Sequence, residues 1–330
     1  MIQTTNGHSS IKLAPLAPLL DDARRFLVEH LPWSPLDFVP GISRRGDRAI
    51  HAEELTRPLD EAHDFRFRAT LADGAVIGLF AQMLPWDTEF FGYGVAKLDG
   101  VFPLEAPTFR PRLQYAAAIE RLLHKLSHAG ARYVWSAVDP RDLALLRALG
   151  EVGFSLIETR YFQHGPVRVP EAYERQAIRQ ATPADVPSLA QAARQTVNPY
   201  DRFHADPFLD EHAVGALMEK WVEQSVAGRM ADLVLVPDVA APGAFVTYRY
   251  HRDRWSRWGL NLVQGLLSAV SPEFMGWMGK LGPEVNARLR SVGAEYSYGS
   301  TQVTNRSIIW FAQEAGANYG KCEHIFRIIL

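Results

Sequence analysis

Apolar residues recur along this chain in two alternating periods, and the alternation lays out a succession of helices and strands. Leu16–His30, Leu113–Ala129 and Leu143–Val152 carry apolar residues at helical spacing. Phe65–Thr70 and Val76–Met83 read as strands of a hairpin around Asp73-Gly74. Gly94–Val101, Tyr133–Val138 and Ser155–Phe162 read as further strands. From Ala177 onward a similar order returns. The expected strands are Ala177–Gln180, Ala231–Val236, Ala244–Tyr250, Gly265–Val270, Glu295–Gln302 and Tyr319–Ile329. The expected helices are one opening at Pro183-Ala184-Asp185 behind a Thr182 N-cap, then His212–Ala227, Pro283–Ser291 and Ser307–Glu314. Trp310 and Phe311 read as helix–sheet core. The class this implies is α/β (α+β), with two lobes, each a mixed central sheet flanked by helices.

The two lobes repeat one another. Gly130–Arg160 lies over Gly293–Glu323 without gaps, at a constant offset of 163 positions (Gly130 onto Gly293). Gly130/Gly293, Ala131/Ala294, Tyr133/Tyr296, Glu151/Glu314 and Gly153/Gly316 are identical. Each copy reads helix end, Gly-Ala, strand, polar turn, amphipathic helix, Gly, strand. The Gly of each Gly-Ala pair suits a helix C′ position that needs positive φ. Asp142 and Asn305 stand where each following helix wants its N-cap. The repeat places a linker in Gly165–Arg179, so the expected domains are 1–165, a degenerate N-terminal lobe, and 175–330, a C-terminal lobe.

Composition narrows the classes. The 330 residues are 47% apolar and 22% charged, an ordinary globular balance. Thirty-five basic against 37 acidic residues give a net charge of −2, so no global pull toward nucleic acid or anionic membrane exists. The single Cys322 excludes an internal disulfide and any multi-cysteine metal site, and no metal is expected. MIQTTNGHSS shows no signal-peptide pattern. No uninterrupted apolar run reaches the roughly 18 residues of a membrane span, so a cytoplasmic protein is expected. Arg249–Trp258 sets four arginines among aromatics and reads as a solvated hairpin.

Three segments carry a resemblance to the GCN5-related N-acetyltransferase (GNAT) family. Ile178–Asp185 looks like its opening strand and helix start. Ser268-Ala269-Val270 and the following Ser271–Lys280 sit where the family has its strand and acyl-CoA pyrophosphate loop. Asn305 followed by Gly316 matches its closing motif. Trp86–Gly92, Tyr200–Pro207 and Trp221–Ser225 are similar to the branch that acetylates the 4-amino group of a dTDP-linked fucosamine, with a degenerate first lobe fused to a working second one.

The resemblance implies an acyl-CoA-dependent N-acyltransferase, moving an acetyl or other acyl group to an amino sugar, nucleotide-linked in that branch, by direct attack in a ternary complex. Acyl-CoA as co-substrate would meet Ser268, Ala269 and Val270, the loop Met275, Gly276, Trp277, Met278, Gly279 and Lys280, and Asn305. The leading Arg/Gln of the family's loop is missing, and Trp277 and Met278 are bulky additions. The family's tyrosine acid falls on Ala312, which has no proton to give; Tyr298, Tyr319 and His204 are the candidate substitutes. Acceptor contacts fall to Trp86, Asp87, Glu89 and Phe90, and to Arg202 and His204. Each also has an ordinary structural role open to it: a loop held by turn chemistry for Arg202 and His204, a sealed lobe surface for Trp86 and Phe90. The expected partners are a small-molecule substrate, with no nucleic acid or membrane; a homodimer stays open. The alternatives are a catalytically altered or inactive GNAT-derived binding protein, or a tandem transferase using a longer acyl or aminoacyl donor.

Overall fold

The chain begins its described course with a short strand, β1 (Ala14–Pro15), and the helices α1 (Leu20–His30) and α2 (Arg44–Thr56). This computed structural model describes residues 11–330; the first ten, which carry the leader expectation, lie outside the described residues. The Asp73-Gly74 hairpin forms between β2 (Phe67–Thr70) and β3 (Val76–Met83), with Gly74 at φ +87° and the Asp73 carboxylate accepting from Ala75 N–H at 3.0 Å. Then come α3 (Pro85–Phe91), β4 (Gly94–Pro103), α4 (Ala116–His128), β5 (Ala131–Val138), α5 (Leu143–Val152) and β6 (Ser155–Pro166). The second half runs β7 (Ile178–Gln180), α6 (Val186–Gln195), α7 (Glu211–Val226), β8 (Leu233–Pro237), β9 (Ala244–Arg249) and α8 (Arg252–Trp258). It ends with β10 (Leu262–Val270), α9 (Trp277–Ser291), β11 (Tyr296–Gln302), α10 (Arg306–Glu314) and β12 (Asn318–Ile329).

Two compact units result, and each takes its last strand from the other half of the sequence. The first holds residues 11–37, Arg44–Ile157 and Glu323–Leu330; the second holds Phe38–Ser43 and Glu158–Cys322. Its sheet order in the first unit is β1-β2-β3-β4-β5-β12; in the second it is β7-β8-β9-β10-β11-β6. In both, the fourth and fifth strands pair in parallel and all other neighbours are antiparallel. A single cut at 165–175 and this division differ only by the strands exchanged and by the segment Phe38–Ser43.

The repeat holds bond by bond at the offset read from the sequence. Asp142 caps α5 at φ −82°, ψ 71°, accepting from Leu145 N–H, and Asn305 caps α10 at φ −80°, ψ 70°, accepting from Ile308 N–H. Gly130 and Gly293 both have φ +88°, and Gly153 and Gly316 have φ +96° and +86°.

Helices cover both faces of each sheet. In the first unit α4 and α5 bury Ile119, Leu122, Leu145 and Leu149 against Leu79 and Val134. The opposite face packs Leu27 and Leu55 against Phe80. In the second, α9 buries Leu281, Val285 and Leu289 against Leu233, Val246 and Val263. There α6 and α7 bury Leu189, Val214 and Val222 against Val234 and Phe245. Among the described residues no helix is long and apolar enough to cross a membrane.

Three expectations are corrected. The helix expected from Pro283 begins at Trp277, and Pro283 stands inside it. Pro283 lacks an N–H, so the Gly279 carbonyl loses its usual helical donor. The run Arg249–Trp258 forms α8 rather than a hairpin, because Trp258 is fully buried and the Trp255 indole donates to the Tyr250 and Leu262 carbonyls. Trp310 is 63% exposed, not core.

The Thr182 cap forms as a capping box with Asp185, whose carboxylate also takes two hydrogen bonds from Arg179 at 2.7 and 2.8 Å. Arg179 and the Thr182 donors hold the Asp185 carboxyl well below the usual range. That stabilisation is complete above the unfolded-state pKa of about 4 and is lost as pH falls through the lower folded value. Asp185→Asn should cost about 2 kcal/mol at pH 7. It should also flatten the acid loss of stability in urea unfolding curves.

Candidate active site

The second sheet opens along its parallel seam. β10 and β11 pair only over Leu262–Gln264 with Tyr296–Tyr298. Beyond them the β10 edge from Gly265 onward has no strand beside it on that side. A bulge lies on the opposite side of β10. Gly265 faces Tyr248 and Ser268 faces Val246 on β9, so Leu266 and Leu267 oppose the single residue Thr247. The Thr247 hydroxyl accepts from Leu267 N–H and donates to Leu267 C=O, both at 2.9 Å, which locks the extra residue in place. Thr247→Val keeps the shape but strands both Leu267 groups. A loss of about 2 kcal/mol is expected in thermal or urea unfolding.

A cavity of about 530 Å³ occupies the parting, and all of its lining belongs to the second unit. Val263 packs with α9, and its partner Ser297 shares that face; alternation sends Gly299 the same way and Tyr298 and Ser300 to the α6/α7 face. All four line the cavity, so it passes through the opened sheet from one face to the other. On the α9 side the wall is Tyr248, Met278, Gly279, Gly282 and Asn286, closed by Phe311 and Ala312 of α10. On the other side stand Tyr298 and, directly opposite it on β6, His164.

The same region of the first unit is shut. Leu145, Ala148 and Leu149 on α5 are all buried, whereas their counterparts Ile308, Phe311 and Ala312 line the cavity. Tyr115, the counterpart of Met278, is buried too. The Ser136 hydroxyl donates to the Leu98 carbonyl at 2.8 Å and clasps β5 to β4 where their pairing ends. The counterpart of Ser136 is Gly299, which has no side chain to make that clasp with Gly265. Farther along β4, the space lined by Val101, Phe102 and Tyr115 is about 10 Å³.

Solved structures match nearly the whole chain. A GCN5-related N-acetyltransferase from Sphaerobacter thermophilus aligns with TM-score 0.60 at 14% identity, over 98% of this chain and 96% of that one. A tandem GNAT protein from the clavulanic acid biosynthesis pathway, solved without AcCoA, aligns with TM-score 0.56 at 13% identity, over 97% and 98%. The fold is that of a tandem GNAT. No family model matches the chain, and no curated protein matches it in sequence.

Within this GNAT fold the sequence-read candidates separate. Ser268, Met278, Gly279, Tyr298 and Ala312 line the cavity. Trp277 does not plug it: the indole packs on the α9 core, with Phe274 at 6.1 Å and the Lys280 ammonium over its ring at 4.8 Å. Gly276 takes φ +91° as the N-cap of α9, and Met275 is 85% exposed. Ala269 is core on the α6/α7 face, and Val270 packs against the core on the α9 face. Asn305 is occupied as a cap and by a bond to the Thr301 hydroxyl at 3.0 Å. Tyr319 lies outside the lining with its ring 5.3 Å from Tyr161, and His204 is paired with Asp201 at 2.7 Å, also outside it. The Arg202 main chain is anchored to the buried Glu158, and its guanidinium lies 4.2 Å from the Phe203 ring. Trp86, Asp87, Glu89 and Phe90 form α3 of the first unit, where Trp86 stacks on Phe90 at 5.7 Å.

Gln163, His164, Thr247 and Tyr248 are among the lining residues that the sequence does not single out. Burial pushes the Tyr248 phenol up to about 12, so it stays protonated at neutral pH. Gln163 Oε1 and His164 Nδ1 are buried without a hydrogen-bond partner. Among the described residues no cluster of His, Cys, Asp or Glu could hold a metal ion.

Proposed function

We propose that the second unit is an acyl-CoA-dependent N-acyltransferase and that its acceptor is an amino sugar, carried on a nucleotide. The observation behind this reading is the cavity that crosses the sheet, open in one copy of the repeat and filled in the other. Such a passage suits a narrow thioester arm entering from the α9 side and an amine approaching from the opposite face.

The cavity's chemistry fits that arm. The first turn of α9 offers main-chain N–H groups and the positive end of a 15-residue helix to a diphosphate. Arg168 stands in the cavity wall as a further cation. Gln163 Oε1 is an unmet acceptor for a pantetheine amide. The free edge of β10 presents main-chain N–H donors to a thioester oxygen, where negative charge grows as the amine attacks. The amine adds directly to the carbonyl, the C–S bond breaks, and the thiolate takes a proton. Tyr248 and Tyr298 supply the phenols in reach of the cavity for that last step, in place of the family's tyrosine at Ala312. The nucleotide-sugar assignment rests on the sequence resemblance in Tyr200–Pro207, where Arg202 would pair with the acceptor's diphosphate.

Ala312 favours a second reading, a carrier-binding protein without turnover. A thermal-shift screen of CoA thioesters against nucleotide sugars, followed by a thiol-release assay, separates the two. Turnover with an amino sugar is expected, and Tyr248→Phe and Tyr298→Phe then identify the acid. Binding of acetyl-CoA with no thiol released from any amine would leave the carrier reading.

A further inference from the structure

We propose that His164 is the acceptor-side base of this transfer, its Nδ1 taking a proton from the acceptor's ammonium group. The inference rests on the acyltransfer reading above and names a residue for its first step.

The placement comes from the strand exchange. β6, although encoded in the first half of the chain, runs antiparallel to β11, and His164 falls directly opposite Tyr298. Cross-strand partners share a face, with Cβ atoms roughly 5 Å apart. Both line the cavity on the face opposite α9, where an acceptor would meet a thioester delivered from the α9 side. His164 is 7% exposed. Its ring lies 5.8 Å from Phe38 and stacks on Tyr296 at 6.5 Å.

Nδ1 is buried without a hydrogen-bond partner, and the Tyr319 main chain acts on the ring as an acceptor that favours its charged form. The proposal accordingly places the neutral ring's proton on Nε2, toward that carbonyl, and leaves the Nδ1 lone pair open. A buried acceptor without a donor is costly, and such atoms in a cavity wall are where a ligand's donors go. Burial lowers the imidazole from its ordinary value against the weaker opposite pull of the Tyr319 carbonyl, and no charged neighbour contributes. The titratable groups around it are Tyr296 and Tyr298 on β11 and Tyr319 and Lys321 on β12. The Lys321 ammonium lies over Phe162 at 5.1 Å. The ring is thus neutral at pH 7 and ready to accept.

The step balances as follows. The acceptor's R–NH3+ gives one proton to Nδ1, and the resulting amine nitrogen attacks the thioester carbon. The C–N bond forms, the C–S bond breaks, and the nitrogen's second proton ends on the thiolate through a phenol. Imidazolium returns its proton to solvent, so one proton is released per turnover.

Long-range proton–nitrogen NMR of the wild-type protein, with the His164 signals assigned by comparison with His164→Gln, tests the tautomer directly. The expected result is a proton on Nε2 and a ring neutral from pH 7 down past the ordinary histidine value of about 6.5. A proton on Nδ1, or imidazolium at pH 7, would overturn the proposal. The kinetic arm uses acetyl-CoA and the amine with the highest turnover in the screen above. His164→Gln should keep acetyl-CoA affinity within about twofold yet lose about 100-fold in kcat/KM, and the acid limb of its pH profile should move to the amine's own pKa. His164→Asn should behave alike. Unchanged kcat/KM and an unchanged profile, with acetyl-CoA bound, would reject the base and spare the function. A wild-type protein that neither binds acetyl-CoA nor acylates any amine would remove both.

Discussion

Ala312→Leu should make the protein more stable and weaken its hold on acetyl-CoA. Ala312 lines the cavity at the α10 wall, and its counterpart Leu149 is fully buried in the closed first unit. No residue of α10 is buried, although its apolar side, Ile308, Phe311, Ala312 and Ala315, has the pattern of a core-facing helix. A leucine at this position brings the second copy closer to the first. Covering that apolar wall should add about 1 kcal/mol of stability. Crowding the ligand should cost about 2 kcal/mol of binding, roughly 30-fold in Kd. Thermal unfolding and acetyl-CoA titration on the same preparation measure both. The opposed signs matter, because a merely misfolded variant would lose stability and binding together. An unchanged affinity would show that the cavity is not where acyl-CoA goes.

Gly299→Ser should close the seam itself. A Cβ added at Gly299 would stand 3.5 Å from the Gly265 carbonyl oxygen, an ordinary contact that needs no shift. A hydroxyl there can reproduce the clasp that Ser136 makes with Leu98 in the first unit. One such bond contributes about 1 kcal/mol. The clasp lies across the path of a thioester arm, so acetyl-CoA affinity should fall at least tenfold, about 1.4 kcal/mol. The reciprocal change, Ser136→Gly, should loosen the first unit by about 1 kcal/mol and create no binding. Leu145 and Leu149 still fill the space behind it. Calorimetry on the two variants reads the contrast. Equal affinities in Gly299→Ser and wild type would deny the seam its role.

The elements with local signals were the ones that sequence reading placed well. Asp73-Gly74, the Asp142 and Asn305 caps and the Gly130/Gly293 pair each announce their geometry through a residue that alone suits it. The end of β6 depends instead on a partner distant in sequence. β6 reads as ending at Phe162 because Gly165 and Pro166 look like a linker; only pairing with β11 carries it to Pro166. That four-residue error hid Gln163 and His164, both of them in the cavity wall. α2 gives little signal because RRGDRAIHAEELT is mostly polar, and only Ile50, Ala52 and Leu55 make its apolar stripe. α9 begins six residues before Pro283, a residue that by itself suits a helix's first turn. The loop candidates Ser268, Met278 and Gly279 were legible from the resemblance. Tyr248 gave no signal beyond that of an ordinary strand tyrosine.

The account's central claim is that one copy of the repeat holds a thioester carrier and the other has filled the same space with side chains. Titration calorimetry of the whole chain with acetyl-CoA measures this directly. The predicted result is a single site per chain with a Kd in the micromolar range, weakened roughly 30-fold on Ala312→Leu. Two equivalent sites per chain, or no binding heat at millimolar acetyl-CoA, would contradict it.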